Sequence, residues 1–380
     1  MLKAETFHPV DLPESDVAAW RALCASRPDF ANPLLGPDFA LAVGAVRDDA
    51  RVTVWRWPER VAGFLAHHRR PGGLARPIGA PLSDYHALVA APGLDAEHAL
   101  TVAGLAAYRF TGLIDPNHAF GSGVVAEHEA YQITLNGSAE AYLEALRVES
   151  PKRFKNYRRL DHKMDREVGL LSVRAPDRDP AAFDQLIAWK RAQLARTGAH
   201  DFLRPAWTQA LMASLFDRDR GDFQGLMINL YAGDRLVAGH FGVRLGDVYH
   251  PWIASTDPEL GAWSPGQVFL QRAIAVMPLL GLTTYDLGPG HDHYKRPYAL
   301  DTRVITEGAA VSAGSRGLMA LASEQAWALA GANRAGLVGS LRRRLDMISA
   351  TELSLADRAQ GLADALSARA RPRDNEAEAA

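Results

Sequence analysis

A single cysteine, Cys24, leaves no partner for an intramolecular disulfide, which fits a reducing compartment. No run of about 20 uncharged apolar residues occurs, so the sequence contains nothing expected to span a bilayer. The opening stretch, MLKAETFHPVDLPESD, lacks an apolar h-region, and the chain reads as cytoplasmic rather than secreted. Net charge is nearly absent as well. At −2 over 380 residues there is no global pull toward nucleic acid or an anionic membrane, although local patches can still act. What the chain does have is apolar content, 48%, over a length sufficient for two domains.

Read in order, strands and helices alternate, which points to an α/β protein with mixed sheets flanked by helices. Helices are expected over 16–26 and 38–46, and a hairpin over 51–57 and 60–68 across Pro58-Glu59. A Gly/Pro-rich loop covers 71–81, and 83–89 leads into another strand. A helix over 95–108 precedes strands at 109–114 and 130–134. Helical periodicity starts again at 138–147. Charge density then jumps in 151–169, PKRFKNYRRLDHKMDREVG, with Lys152, Arg153, Lys155, Arg158, Arg159, Lys163 and Arg166 partly offset by Asp161, Asp165 and Glu167. This segment is either a solvated helical face laced with i,i+4 pairs or a basic groove for a phosphorylated substrate or nucleic acid. A strand over 170–174 and helices over 180–197 and 204–216 follow.

The second half repeats the first. A hairpin is expected over 225–232 and 235–244 across Gly233-Asp234, with a third strand over 247–255 and a last one over 303–310. Helices near 316–332 and 335–348 follow, and the last ten or so residues are too polar to pack. The organisation read from this is an N-terminal subdomain, 1–145, a basic helical connector, 146–205, a C-terminal subdomain, 206–314, and C-terminal helices with a disordered tail, 315–380.

The most informative stretch is WSPGQVFLQRAIAVMPLLGLTTYDLGPGHDHYKRPY, 263–298. Ser264 reads as an N-cap, Pro265 suits the first helical position, and Gly266 leaves backbone N–H groups uncovered for an anion. Helical spacing continues through Val268, Phe269, Ala273, Ile274, Met277 and Leu280 until Gly281. A strand over 282–287 runs into Gly288-Pro289-Gly290 and a loop holding Asp286, His291, Asp292, His293, Tyr294, Lys295 and Arg296 near its ends. A phosphate cradle and an ionisable cluster thus flank one strand.

Three antiparallel strands, Ser264-Pro265-Gly266 opening a helix, a strand ending Tyr285-Asp286-Leu287-Gly288 and a loop ending Tyr294-Lys295 resemble the FemAB-like branch of the GNAT acyltransferases. The CelD-type members associated with bacterial exopolysaccharide biosynthesis are the most similar. The hairpin Asp234-Arg235-Leu236-Val237-Ala238-Gly239 belongs to the same pattern, which covers roughly 30–310. The resemblance implies tandem GNAT-like (acyl-CoA N-acyltransferase) subdomains and acetyl-CoA as acyl donor, with Ser264, Pro265, Gly266 and Gln267 holding its phosphates. In place of the family's Gln/Arg-x-x-Gly-x-Gly/Ala loop this chain has only SPGQ. The implied acceptor is an amino group on a small-molecule or lipid-linked sugar destined for an exopolysaccharide, adhesin or envelope polymer.

Acyl transfer to an amine needs a deprotonated amine, a polarised thioester carbonyl and alignment of the two. By resemblance, Lys295 stabilises the oxyanion or holds a donor phosphate. Asp286 orients the amine or acts as base, Tyr294 donates to the leaving thiolate, and His293 has a pKa range suited to a general base. Asp84 and Tyr85 would serve the acceptor side, while His240, Tyr249 and Trp252 would line the cleft, with His250 beside them. Tyr249, Trp252 and Ser255 are expected on one face, where aromatic rings suit a sugar. Each position also has a plainer reading, as a surface lysine, a turn-capping aspartate, a packed aromatic or a satisfied strand histidine.

His291, Asp292 and His293 offer no third ligand at a defined spacing, so no metal is expected. Gly121-Ser122-Gly123 lacks nucleophile-elbow spacing. An aminoacyl-tRNA-dependent transferase and a non-catalytic regulatory module stay open as alternatives. The module could take cyclic-di-GMP at Arg342-Arg343-Arg344-Leu345-Asp346, whose Arg-x-x-Asp pattern recurs elsewhere in the chain.

Overall fold

The computed structural model describes residues 1–290, 295–332 and 336–369. Candidate residues His291, Asp292, His293 and Tyr294, and the polar tail from 370 on, lie outside the described residues. In the first half come β1 (Lys3–Phe7), α1 (Glu14–Ala25), α2 (Pro37–Gly44), the hairpin β2 (Ala50–Trp57) and β3 (Arg60–Arg69), and β4 (Leu74–Pro77). The two-residue β5 (Val89–Ala90), α3 (Ala96–Val102), β6 (Ala107–Leu113) and β7 (Val124–Thr134) complete it. The helices α4 (Ala139–Glu149) and α5 (Pro151–Glu167) lead to β8 (Leu171–Arg174), α6 (Pro180–Thr197) and α7 (Ala206–Phe216). The strands β9 (Phe223–Ala232), β10 (Arg235–Leu245) and β11 (Val248–Thr256) follow, then α8 (Pro265–Val276), β12 (Thr284–Pro289) and β13 (Asp301–Val311). Three helices end the described chain: α9 (Ser315–Leu329), α10 (Leu337–Thr351) and α11 (Leu355–Arg369).

Local chemistry explains most of these limits. Asp179 caps α6 by accepting from Ala181 N–H at 2.9 Å, Pro180 fits its first turn, and Gly198 ends it with φ +66°. The helix expected over 95–108 stops six residues early. Gly104 turns left-handed at φ +66°, and the apolar run beyond it is strand β6. β1, an edge strand in what reads as a lead-in, and α11 were not anticipated.

The chain folds as two units, neither of them a continuous piece of sequence. One gathers Met1–Glu129, Arg204–Leu211 and Val304–Ala365; the other gathers Ala130–Leu203 and Met212–Arg303. Within the first, the strand order is β1-β2-β3-β4-β6-β13, and within the second it is β8-β9-β10-β11-β12-β7. Both orders carry the same pairing pattern: three antiparallel pairs, one parallel pair, one antiparallel pair. The doubling inferred from the sequence is therefore a doubling of topology. Each unit takes its last strand from the other half of the sequence, β13 beside β6 and β7 beside β12.

The segment that the charge pattern marks as a connector contributes to the second unit's core. α5 buries Phe154, Tyr157, Leu160 and Met164 on one stripe, and Tyr157 stacks on Tyr298 with ring centroids 5.8 Å apart. Asp161 on this helix holds Arg272 of α8 through two bonds of 2.7 and 3.0 Å. The opposite face presents Lys152, Arg153, Lys155, Arg158 and Arg159 to solvent. In the first unit, buried Arg47 makes a two-pronged bond to Asp49, lies 4.4 Å over the Trp207 ring and donates to Ala350 O. Asp346, the carboxylate of the Arg-x-x-Asp pattern, is clasped by Arg76 at 3.0 Å and Arg109 at 2.6 Å. Those ion pairs hold α10 against the sheet and engage the aspartate that a nucleotide would need.

Candidate active site

The site grows from the parallel pair of the second unit. Val248 pairs with Thr284 and Tyr249 with Tyr285, and there the ladder between β11 and β12 stops. β11 continues to Thr256 bonded only to β10, and β12 continues to Pro289 bonded only to β7. Among the described residues no strand pairing closes the gap. The two strands part there, and a parting of strands is a place where an extended amide-bearing ligand can lie along a strand edge.

The first unit has the same parallel pair, Leu74 with Ala107 and Ala75 with Tyr108, but its gap is filled. The segment after β4 folds back so that His86 bridges Leu113, with His86 N donating to Gly112 O at 3.1 Å and Ile114 N to His86 O at 2.9 Å. Tyr85 is fully buried there, and the Asp84 carbonyl lies where a Cβ on Gly112 would be, 1.9 Å from it. Both residues expected on the acceptor side thus belong to the plug of the first unit.

At the point of parting the two strands carry different chemistry on their two faces, because side chains alternate. Toward α8, Tyr249 and Tyr285 meet edge to face at 4.9 Å. The Tyr285 hydroxyl lies 2.7 Å from His240 Nδ1, and the His240 ring lies 4.5 Å from Phe269 of α8. Burial pushes the His240 imidazole down to about 3, helped by the charges of Lys295 and Lys190, so it is neutral at pH 7. Burial likewise raises the Tyr249 phenol, whose hydroxyl donates to Leu226 O at 3.1 Å.

On the other face stand His250 and Asp286, both fully buried, with Nδ1 and Oδ1 3.7 Å apart. Asp286 Oδ2 accepts from Gln132 Nε2 of β7 at 2.8 Å, and Oδ1 accepts from Gly288 N at 3.0 Å. The second bond exists because β12 bulges between Asp286 and Gly288, and Gly288, at φ +75°, turns its N–H back. Asp286 therefore caps a turn and also stands beside an imidazole. Lys295 donates to Pro289 O at 2.9 Å, tying the two ends of the loop.

The α8 N-terminus borders this gap. Ser264 is left-handed, φ +49°, and makes no side-chain cap. Its carbonyl instead accepts from Gln267 N at 3.0 Å and Val268 N at 3.3 Å. The N-cap expected at Ser264 is thus a backbone turn, and of the first turn only Gly266 N–H has no partner among the described residues. A Cβ on Gly266 would meet only Thr256 Cγ2, at 3.6 Å, so the approach is open. One other expectation fails. Trp252 is an extra residue in the β10–β11 register, which breaks the alternation. Tyr249 faces α8, whereas Ser255 donates to Leu186 O of α6, so the two do not share a face. Gln132 and the central position of His250 were not singled out. Gln132 lies 154 residues from its partner and carries no local signal.

Gly242 supports β11 at this point. A Cβ there would sit 2.1 Å from His250 O and 2.4 Å from Pro251 Cα, both backbone. Gly242→Val should shift β11 and lower the urea midpoint by the equivalent of about 1–3 kcal/mol. An unchanged midpoint would show that β11 gives way freely.

A mixed sheet whose parallel pair splays apart, with a helix starting beside the gap, is the GNAT acyltransferase fold, present here in tandem. Residues 151–296 match the family model described as an acetyltransferase (GNAT) domain. The crystal structure of FemX is similar over 80% of this chain and 96% of its own, at 12% identity and a TM-score of 0.51. A tandem GNAT protein from the clavulanic acid biosynthesis pathway is similar over 83% of this chain and 99% of its own, at 10% identity and a TM-score of 0.46. A comparison with curated proteins found no match.

Proposed function

We propose that this protein is an N-acyltransferase that moves acetyl from acetyl-CoA to the amino group of a small-molecule or lipid-linked sugar. The amino sugar is destined for an exopolysaccharide, adhesin or envelope polymer. The observation that carries the proposal is the unclosed gap between β11 and β12, set against the plugged gap of the first unit. The pantetheine amides of the donor would lie along the parted strands as an added strand does. The pyrophosphate would lie at the α8 N-terminus, where Gly266 allows close approach and the helix dipole favours negative charge.

In the transfer the amine attacks the thioester carbonyl and gives up a proton, the C–S bond breaks, and the sulfur leaves as a thiolate that takes up that proton to become the thiol. His250 would accept the amine proton, and Asp286 would stabilise the imidazolium that forms, being held in place by Gln132 and Gly288. Lys295 sits close enough to charge the His240 side of the gap and would balance the oxyanion.

Titration calorimetry with acetyl-CoA tests this reading. Saturable binding is expected. Gly266→Ala should retain the fold because the position has room, while Gly266→Trp should weaken binding at least about tenfold. No binding at millimolar acetyl-CoA would sink the donor assignment. The exposed cations of α5, with no acidic residue in its first turn, favour aminoacyl-tRNA as the second reading, and salt-sensitive binding of tRNA would then be the result to look for.

A further inference from the structure

The position that carries His250 and Asp286 in the second unit has a counterpart in the first. One residue beyond the last rung of each parallel pair stand His250 and Asp286, after Tyr249 and Tyr285, and Arg76 and Arg109, after Ala75 and Tyr108. Where the second unit sets an imidazole beside a carboxylate, the first brings two guanidiniums to one point. Like charges gathered in this way need a counter-anion. Here it is Asp346 of α10, whose Oδ1 lies 3.0 Å from Arg76 and whose Oδ2 lies 2.6 Å from Arg109. Burial pulls the Arg109 guanidinium down, and Asp346 is the foremost group opposing it.

Asp346 sits there as a ligand would, on a helix held by charge and hydrogen bonds more than by a core. The negative, C-terminal end of α10 is fastened by donors. Arg76 reaches Asp346 O at 3.2 Å, Arg70 Ser349 O at 3.0 Å, Arg47 Ala350 O at 3.3 Å and Trp207 Thr351 O at 2.9 Å. The apolar hold is slight. Ile348 is the one large apolar side chain of α10 that is buried, while Leu345 and Met347 are half-buried and Leu337 and Leu341 are exposed. Solvent also reaches the clasp, since the side chains of Arg76, Arg109 and Asp346 are 26%, 20% and 24% exposed. Such a carboxylate is open to exchange. Two guanidiniums converging on one point suit a phosphate group, which offers more oxygens and more charge than the carboxylate it would replace.

We propose that Arg76 and Arg109 form a phosphate-binding site that Asp346 occupies in cis, so that a phosphate-bearing ligand taking its place releases α10. The test is hydrogen exchange over residues 337–351 in the full chain, with inorganic phosphate or glucose 6-phosphate titrated against chloride at constant ionic strength. Exchange there should rise saturably with phosphate. A lower half-saturating concentration for glucose 6-phosphate would make the ligand a phosphomonoester, and the reverse would make it the free ion. Asp346→Asn weakens the internal competitor and should tighten phosphate binding at least about tenfold in calorimetry. Arg76→Gln and Arg109→Gln should each abolish the response, with thermal melts to show that the fold is kept. The parent and Asp346→Asn decide the matter even where an arginine variant does not fold. Three results would overturn the proposal: exchange over α10 that phosphate leaves unchanged in the parent, an unshifted phosphate affinity in Asp346→Asn, or a phosphate response that survives in folded Arg109→Gln.

Discussion

Replacing Asp286 with alanine is expected to abolish turnover and also to weaken the fold, whereas replacing it with asparagine should separate the two effects. Asp286→Ala leaves half-buried Gln132 Nε2 and buried Gly288 N–H without their acceptor and removes the carboxylate beside His250. Each orphaned donor costs about 1–3 kcal/mol, so a stability loss of ~2–5 kcal/mol should appear in urea denaturation. Asp286→Asn keeps an oxygen for Gly288 N–H and should cost less. It still lacks the charge that would hold an imidazolium, and thiol release from acetyl-CoA in the presence of an amino sugar should fall by about 10²–10⁴. A fully active Asp286→Asn protein would remove Asp286 from the chemistry and leave it as a turn cap.

The second large effect is on stability toward acid. His67, His68, His86 and His240 are all buried, and burial is the leading cause in each case. It holds His67, His86 and His240 down to about 3 and His68 to about 4. For His86 the geometry shows why: Nε2 accepts the N–H groups of Thr111 and Gly112, both at 3.0 Å, and protonation there would break both bonds. His68 Nε2 likewise accepts from Gly79 N at 2.9 Å. The unfolded chain takes up these protons near pH 6.5, well before the folded one does. The stability these histidines confer is therefore complete above pH 6.5 and is lost as pH falls toward 4. Each pKa unit corresponds to about 1.4 kcal/mol, large against a total of ~5–15 kcal/mol. Urea midpoints at pH 7.5, 6, 5 and 4.5 should fall steadily, and a flat series from 7.5 to 5 would contradict this account.

What could be read from the sequence was local. Helix α6 has its aspartate cap, proline and terminal glycine within one continuous stretch, and its expected limits match the structure. The strand carrying Asp286 was legible in place but not in its limits: expected over 282–287 and broken by Gly288, it runs Thr284–Pro289 and takes Gly288 in through a bulge. Features set by distant partners were not legible. Nothing near Tyr85 indicates that its segment plugs a gap beside Leu113, and nothing near Trp252 marks it as the extra residue that turns Ser255 away from Tyr249. Gln132 is an unremarked polar residue in an alternating strand until β12 arrives beside it. Candidate residues could be proposed from one stretch of chain, but their arrangement depends on register across the sheet.

The exchange of last strands between the two halves sets a timetable for synthesis. Strand β6 cannot complete its antiparallel edge until β13 exists, and the Thr306 hydroxyl that bonds to Leu113 O is 193 residues downstream. At ~5–20 residues per second, a ribosome needs roughly 10–40 s to deliver it. For that interval the first half is a sheet with one edge still open, and an open edge invites pairing with another chain. Slower translation lengthens this exposure, so the yield of soluble protein should depend on how quickly the second half follows the first.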